Sequence, residues 1–172
     1  MATVSCSCLP SRVDKTKPAF MMASLSFFEL TSSPVDAGGL RERLATPDAG
    51  ACVVFEGRVR NHHGGREVLR LEYEAYPRMA MREGKAILAE AERDFPGCRI
   101  GCVHRTGKLG LGETALWICV FSAHREAAFD ACRFVLEAIK LRLPVWKKEF
   151  YADGEAVWVN VTDEGITPSK SG

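Results

Sequence analysis

Basic side chains are concentrated in one stretch of the sequence, residues 140–154, which reads K-L-R-L-P-V-W-K-K-E-F-Y-A-D-G. Lys140 lies near the end of a predicted helix that stops at Pro144, and Lys147 and Lys148 follow on a predicted strand. Because apolar side chains are interleaved with these lysines, we expect the three amines to converge on one partly buried corner. Such amines can bind an anion or exchange protons with a substrate. The alternative interpretation is that they are surface lysines beside a buried tryptophan.

A second basic group, His124 and Arg125, lies in the first turn of a predicted helix, in the motif S-A-H-R. We predict that Ser122 caps this helix and that it runs to about Leu141, because apolar residues recur along it at 3.6-residue spacing. Free backbone N–H groups and the helix dipole favour an anion at this end, so cations there are slightly unfavourable for stability. An unfavourable local choice is typical of a functional site, which favours an anion clamp over a plain surface pair.

The two basic groups lie at opposite ends of the same predicted helix. Fifteen residues separate Arg125 from Lys140, which corresponds to about 22 Å at a rise of about 1.5 Å per residue. One small ligand cannot span that distance within a single chain. A two-fold dimer sets the start of one helix beside the end of its mate's helix, so we predict a homodimer with composite sites.

The composition is that of a globular chain, because 47% of its 172 residues are hydrophobic and 26% are charged. The net charge of +1 argues against a nucleic acid as the main partner, since binding a phosphate backbone requires a strong basic excess. No apolar run approaches about 18 residues and no secretory leader is evident, so we expect no membrane span and a cytoplasmic (cytosolic) location. We expect an N-terminal extension (1–23), one domain (24–161) and a polar tail (162–172).

The cysteines and histidines do not follow the spacing of known metal sites. Cys98, Cys102 and His104 alternate along a predicted strand, which favours a buried face of small side chains over a zinc site. The adjacent His62 and His63 are interpreted as a solvated loop tip, because no third ligand is obvious. An odd number of cysteines, seven, indicates reduced thiols. We therefore predict no metal and no cofactor.

The hydrophobic pattern predicts helices and pairs of strands. Residues 51–59, A-C-V-V-F-E-G-R-V, are predicted as a central strand with a bulge at Gly57, and residues 68–76 as its partner in a long hairpin. Residues 99–105 and 115–122 are predicted as a second pair joined by a Gly-rich turn, with the later strand central. The other predicted elements are a strand from residue 24, a helix at 35–44 that begins near Asp36, a helix at 77–95, and strands at 146–151 and 155–161.

Five blocks of sequence, taken in order, carry a resemblance to a known family. They read F-E-G-R-V-R-N-H, L-E-Y-E-A-Y-P-x-M, H-R-x-G-x-L, S-A-H-R and K-x-R-x-P-x-W-K-K-E, within residues 24–159. Together they resemble the catalytic large subunit of molybdopterin synthase, and the ordered set is much more specific than any one block. The resemblance implies an α+β architecture, namely an α/β hammerhead fold with a mainly antiparallel sheet, in a homodimer.

The resemblance also implies a reaction. Members of the family are sulfurtransferases of molybdenum cofactor biosynthesis, which convert cyclic pyranopterin monophosphate into molybdopterin by installing two dithiolene sulfurs. Each sulfur arrives as a thiocarboxylate on the C-terminal Gly-Gly of a small ubiquitin-like partner, whose tail enters the large subunit's pocket. Two large subunits form the centre of a heterotetramer.

Site residues follow from the resemblance by position. Lys140 and Lys147 correspond to the family's catalytic lysines, and crowding by like charge would let one act as a neutral base while the other stabilises negative charge. Arg60 and Arg125 suit a phosphate, since a guanidinium group is permanently charged and binds in a fork. The full set of implied substrate-binding residues is Arg58, Val59, Arg60, His124, Arg125, Lys140, Lys147, Lys148 and Glu149.

Two other functions fit the same residues. A non-catalytic docking module for a ubiquitin-like protein tail would use the lysines and the His-Arg pair to bind a terminal carboxylate. A Schiff-base enzyme would use the amine of Lys140 as its nucleophile. Turnover of the cyclic pterin distinguishes sulfur transfer from the docking module. Borohydride trapping with a carbonyl substrate detects the Schiff-base enzyme.

Overall fold

The computed structural model describes residues 25–159, so the predicted N-terminal extension (1–23) and polar tail (162–172) lie outside the described residues. Within residues 25–159 the chain forms three helices and nine strands. In chain order they are β1 (Phe27–Thr31), α1 (Ala37–Leu44), β2 (Ala51–Arg58), β3 (His62–His63), β4 (Arg66–Ala75), α2 (Pro77–Asp94), β5 (Arg99–Arg105), β6 (Gly107–Gly110), β7 (Thr114–Ser122), α3 (Arg125–Arg142), β8 (Val145–Tyr151) and β9 (Ala156–Val159).

The first sheet has the strand order β1-β5-β7-β2, in which only β1 and β5 run parallel. Strand β7 is buried from Ala115 to Val120, which confirms the prediction that it is central, and its predicted pairing with β5 is confirmed as well. The prediction that β2 is central is wrong. Within the described residues β2 pairs with β7 alone, so it is an edge strand of this sheet. Every second residue of β2 is exposed, which shows that one face of the strand meets solvent.

The predicted long hairpin between β2 and β4 is also wrong. The predicted bulge is present between Gly57 and Arg58, where the register against β7 shifts. Beyond the bulge the chain leaves the first sheet, and β4 joins a second sheet, where its buried Val68 belongs to a separate core cluster. A short hairpin forms instead between β3 and β4, whose two-residue turn, Gly64-Gly65, has positive φ angles of 56° and 79° that favour glycine.

The second sheet has the order β3-β4-β8-β9, and β6 pairs with β4 as well. Strand β6 occupies part of the segment that was predicted to be only a Gly-rich turn. The chain passes from the first sheet to the second between Arg105, at the end of β5, and Gly107, at the start of β6. The two sheets therefore meet beside the end of β5.

The helices cover both faces of the first sheet. Helices α2 and α3 pack on one face, over the largest core cluster, and α1 packs on the other face through Leu44 against Trp117. Helix α2 begins with Pro77, as predicted, and approaches β1 closely because Gly84 leaves room for the ring of Phe28. A Cβ atom at position 84 would overlap that ring.

Of the three helices in residues 25–159, only α1 has a side chain that caps its N-terminus, while α2 begins with a proline. The carboxylate of Asp36 accepts a hydrogen bond from the backbone N–H of Gly39 at 3.1 Å, which confirms the predicted start of α1. Ser122 does not cap α3, as had been predicted, because it is the buried last residue of β7 and the N-cap position is His124. Helix α3 ends at Arg142, two residues before Pro144.

The architecture is α+β with mostly antiparallel strand pairs, as predicted. Within residues 25–159, none of the helices combines the length and the apolar character that crossing a membrane requires.

Candidate active site

A cavity of about 390 Å³ opens where the two sheets meet the end of α3. This volume lies within the range of about 300–1,000 Å³ that is usual for small-molecule sites. Its floor is apolar and includes Phe55, Leu116 and Ile139. Its polar lining consists of cationic groups, imidazoles, a phenol and one carboxylate, contributed by Arg58, Arg60, His62, His63, Tyr73, His104, Lys140, Lys147 and Glu149.

Strand β8 supplies the deepest polar groups. Because side chains alternate along a strand, Lys147, Glu149 and Tyr151 lie on its buried face, and Lys147 is only 4% exposed. The Lys147 ammonium lies 3.1 Å from a carboxylate oxygen of Glu149. A buried ammonium is tolerated when it is paired in this way, and the pair fixes the amine on the cavity wall.

The predicted convergence of three amines is wrong for Lys148. This residue points to the opposite face of β8, where its ammonium lies over the rings of Phe150, at 5.5 Å, and Trp158, at 5.3 Å. The physical reason is the two-residue period of the strand, which sends neighbouring lysines to opposite faces. Lys140 and Lys147 do line the same cavity.

Glu149 is the centre of a buried hydrogen-bond network. Its carboxylate accepts a hydrogen bond from the hydroxyl of Tyr151 at 2.5 Å and lies 2.7 Å from Nδ1 of His63, in addition to its contact with Lys147. Burial by itself raises the pKa of Glu149, but the hydrogen bond from Tyr151, the charge of Lys147 and the contact with His63 together lower that pKa below its ordinary value. Burial and the neighbouring carboxylate raise the pKa of Tyr151 to about 12. Glu149 is therefore ionised at neutral pH, and Tyr151 is a hydrogen-bond donor.

The network corrects the interpretation of His63 as part of a solvated loop tip. The short β3–β4 hairpin carries His63 inward, and only His62 remains exposed. No local pattern indicates this contact, because His63 and Glu149 are 86 residues apart.

Arg58 and Arg60 reach the cavity from the end of β2. The bulge at Gly57 changes the direction of the strand there, and Nε of Arg58 donates to the carbonyl oxygen of Gly112 at 2.8 Å. Both guanidinium groups remain solvent-exposed at the cavity rim, where a charged ligand can reach them. Lys140 lies in the last turn of α3, also on the exposed side of the cavity.

Three other predicted residues lie outside this cavity. Val59 is 4% exposed and packs in the core of the second sheet. His124 and Arg125 are exposed at the start of α3, at the opposite end of the helix from Lys140. The structure thus assembles Arg58, Arg60, Lys140, Lys147 and Glu149, and it keeps the His-Arg pair apart from them, as the helix geometry predicted.

Besides His62 and His63, two polar cavity residues were not recognised from the sequence as part of a site, namely Tyr73 and His104. His104 was assigned to a buried face, which is confirmed by its 8% exposure, but its ring also lines the cavity. Tyr73 packs edge-on against that ring, with 5.2 Å between ring centroids. The motif H-R-x-G-x-L contains His104 and was the available signal.

Cysteines and metal-binding side chains give no second site in residues 25–159. This part of the chain has no group of three or more side chains placed to hold a metal ion. Its five cysteines are free thiols, and Cys52 and Cys119 lie 3.7 Å apart between their sulfur atoms. Burial raises the pKa of Cys102, so this thiol stays protonated and is a poor nucleophile.

Comparison with known proteins gives consistent matches. Residues 30–142 match the family model described as MoaE protein. The chain is 40% identical to molybdopterin synthase catalytic subunit 1 of Mycobacterium tuberculosis over 133 residues, which cover 77% of this chain and 90% of the relative. It is 39% identical to the molybdopterin synthase catalytic subunit of Thermoplasma volcanium over 133 residues, which cover 77% and 97%. The crystal structure of molybdopterin synthase from Staphylococcus aureus superposes with a TM-score of 0.73 at 38% identity and covers 77% and 96%.

Proposed function

Because the chain belongs to the MoaE protein family, we propose that it is the catalytic subunit of a molybdopterin synthase. Its role is in molybdenum cofactor biosynthesis. The reaction is the transfer of sulfur from the C-terminal thiocarboxylate of a small ubiquitin-like partner to cyclic pyranopterin monophosphate. The observation that carries this proposal is the cavity in which Lys140 and Lys147 lie together with Arg58 and Arg60.

The charge distribution of the cavity fits the two reactants, since a cyclic phosphate and a thiocarboxylate are both anions. Arg58 and Arg60, at the exposed rim, suit the phosphate because each guanidinium group can bind two oxygens at once. The carboxylate of Glu149 would repel an anion, but it is engaged by Lys147, Tyr151 and His63. The cavity therefore presents mainly hydrogen-bond donors and positive charge.

The two lysines have different environments, which suggests different roles. Lys147 is buried and held by Glu149, so its ammonium is positioned to stabilise the negative charge that develops as sulfur bonds to a pterin carbon. Lys140 is exposed at the mouth of the cavity, where it can meet the incoming tail of the partner and exchange protons with the substrate. Attack by the thiocarboxylate sulfur forms a C–S bond as the C–O bond at the same carbon breaks, and the departing oxygen takes up a proton supplied at the cavity. The product is a thioester between the partner and the pterin. Water then cleaves its acyl C–S bond, which returns the partner's carboxylate and leaves the sulfur on the pterin as a thiol.

The partner and the assembly are also part of the proposal. The relatives are named catalytic subunits, and a small sulfur-carrying subunit with a flexible Gly-Gly tail could reach the cavity from its open side. A homodimer would bring His124 and Arg125 of one chain to the cavity of the other, and two small subunits would complete a heterotetramer. The exposed Phe129, one turn after Arg125, supports an interface there because it is 62% exposed. The family's hammerhead fold would apply to the whole domain, residues 24–161.

The decisive experiment is reconstitution. The purified chain is mixed with a thiocarboxylated small partner and cyclic pyranopterin monophosphate, and the product is analysed by mass spectrometry. We expect a product that has gained two sulfurs. Binding of the partner without any sulfur-containing pterin would instead support the docking module.

A further inference from the structure

The cavity is rich in hydrogen-bond donors but has few free acceptors. A pterin carries hydrogen-bond donors that need such acceptors. Arginine and lysine side chains have no acceptor atoms, and the carboxylate of Glu149 already engages Tyr151, His63 and Lys147. A pterin has ring N–H groups and an exocyclic amino group, which require acceptors when they leave water. The other lining groups that can accept are the imidazoles of His62, His63 and His104 and the hydroxyl of Tyr73. Of these four side chains only His104 is buried, so its imidazole is the candidate acceptor for a ring that has left water.

The position of the His104 ring is fixed from two sides. Its Nδ1 lies 2.8 Å from the carbonyl oxygen of Arg105, and Tyr73 packs edge-on against it at an interplanar angle of 76°. A carbonyl oxygen can only accept, so Nδ1 must carry the proton. In the neutral ring this leaves Nε2 with a lone pair, and no hydrogen bond to Nε2 from another residue of the described chain is present.

The imidazole ring of His104 is uncharged at neutral pH. Burial lowers the pKa of His104 to about 4, although the hydrogen bond to the Arg105 carbonyl acts in the opposite direction. An imidazole of such low basicity does not retain a proton at neutral pH. It can still accept a hydrogen bond, and it adds no positive charge to a cavity that already holds several cations.

We propose that Nε2 of His104 accepts a hydrogen bond from a donor on the heterocycle of the bound pterin, which makes His104 a substrate-binding residue. The proposal rests on the proposed function, because it takes the substrate to be a pterin. The exposed Arg58 and Arg60 would then hold the phosphate, while the buried His104 binds the ring system. This contact distinguishes a heterocycle that has N–H donors from a simple phosphate ester.

Substitutions that separate the two ring nitrogens test this role. His104→Asn retains a donor near the position of Nδ1 and removes the acceptor at Nε2, whereas His104→Gln can place an amide oxygen near Nε2. The matched control is Cys102→Ala, two residues earlier on the same face of β5. The side chain of Cys102 is fully buried and does not line the cavity. Binding of cyclic pyranopterin monophosphate is measured by calorimetry, together with thermal unfolding and with turnover in the reconstituted enzyme.

We expect His104→Asn to weaken pterin binding about tenfold, the effect of losing one net hydrogen bond. His104→Gln should recover part of that loss, while Cys102→Ala should lower thermal stability and leave the affinity unchanged. Inorganic phosphate, which has no heterocycle, should bind all four proteins equally. Unchanged pterin affinity in His104→Asn, or equal losses in the asparagine and glutamine variants, would overturn the role of His104.

A measurement on the wild-type chain covers the case in which the variants do not fold. In nitrogen NMR of histidine-labelled protein, His104 should show an unprotonated Nε2 whose resonance shifts when the cyclic pterin saturates the site. An Nε2 resonance that does not shift at saturation overturns the proposal. Failure of the wild-type enzyme to make product overturns the proposed function and this contact with it. Normal turnover with an unshifted resonance overturns only the contact.

Discussion

The two faces of strand β8 present the same residue type in opposite environments. On the inner face Lys147 is 4% exposed and contacts Glu149, within a network that includes Tyr151. On the outer face Lys148 lies over aromatic rings, among them the half-exposed Trp158. The inner lysine is held by charge and the outer one by ring faces and its aliphatic stem.

This difference shows that the position of a lysine relative to the strand pleat decides its possible chemistry. A buried, paired ammonium is pre-organised and keeps its position when a substrate binds. The half-buried ammonium of Lys148 lies over aromatic rings and contributes little to a cavity on the other side of the sheet. The comparison predicts unequal effects for substitutions on the two sides, which the following experiments measure.

Loss of Lys140, which shares the cavity with the inner face of β8, should have the largest effect. We expect Lys140→Ala to lower turnover by about 10²–10⁴-fold, the usual contribution of a positioned acid or base. The protein should stay folded because this side chain is exposed at the end of α3. Product formation with thiocarboxylated partner is the measurement, and Lys85→Ala, on the exposed side of α2, is the matched control. Near-normal turnover in Lys140→Ala would remove this residue from the catalytic assignment.

A direct test of the comparison is the pair Lys147→Ala and Lys148→Ala. The first leaves a buried carboxylate without its ammonium, and breaking such a pair costs up to about 3–5 kcal/mol, with the remaining donors to Glu149 reducing the loss. The second removes a half-buried cation–π contact of about 0.5–1 kcal/mol. Chemical denaturation and turnover should both show the larger loss for Lys147→Ala. Equal losses of turnover would mean that Lys148 reaches a substrate, directly or through a partner chain.

The carboxylate of Glu149 should make stability depend on pH. Its pKa in the folded chain is lowered from the ordinary value of 4.5, so its contribution is fully present above that value and is lost as the pH falls through the folded-state pKa. The free energy of unfolding should therefore decrease at acid pH, and Glu149→Gln should flatten part of that decrease. Denaturation curves from pH 3 to pH 7 measure the effect, with the exposed Glu137→Gln as control. Parallel pH profiles for wild type and Glu149→Gln would contradict the network.

Removal of all seven cysteines should have the smallest effect on chemistry. The sulfur in the proposed reaction comes from the partner, and none of the five described cysteines lines the cavity. We expect a folded cysteine-free variant to transfer sulfur at the wild-type rate, although replacing buried residues such as Cys102 should lower its melting temperature. Complete loss of transfer with normal partner binding would assign a cysteine to the reaction.

Local patterns in the sequence predicted most of the elements. The start of α1 at Asp36, the bulge at Gly57 and the end of α3 before Pro144 depend on neighbouring residues, and all three are confirmed. Alternation along β8 could also have separated Lys147 from Lys148, because a two-residue period requires no knowledge of the fold. The prediction of three converging amines rested on the clustering of charge and overlooked that adjacent residues of a strand point to opposite faces.

Contacts between distant parts of the chain were not predictable in the same way. The choice of β8 as the partner of β4 depends on two sheets that separate at the Gly57 bulge. The buried face of α2 includes Gly84, which makes room for the ring of Phe28. A search for apolar residues at helical spacing does not detect a glycine in such a role. His63 reaches the cavity because the short β3–β4 hairpin turns it inward. His104 reaches it because the two sheets meet beside the end of β5. Residue spacing predicts neither arrangement.

Helix α3, which is 18 residues long, has a consequence for mixtures of defective chains. If one end supplies Lys140 to its own cavity and the other end supplies Arg125 to the mate's cavity, a chain lacking the lysine and a chain lacking the arginine can rescue each other. In such a mixed pair, one cavity carries both defects and the other carries neither. Intersubunit complementation would then restore one working centre per dimer, so two inactive preparations would become active on exchange of their chains.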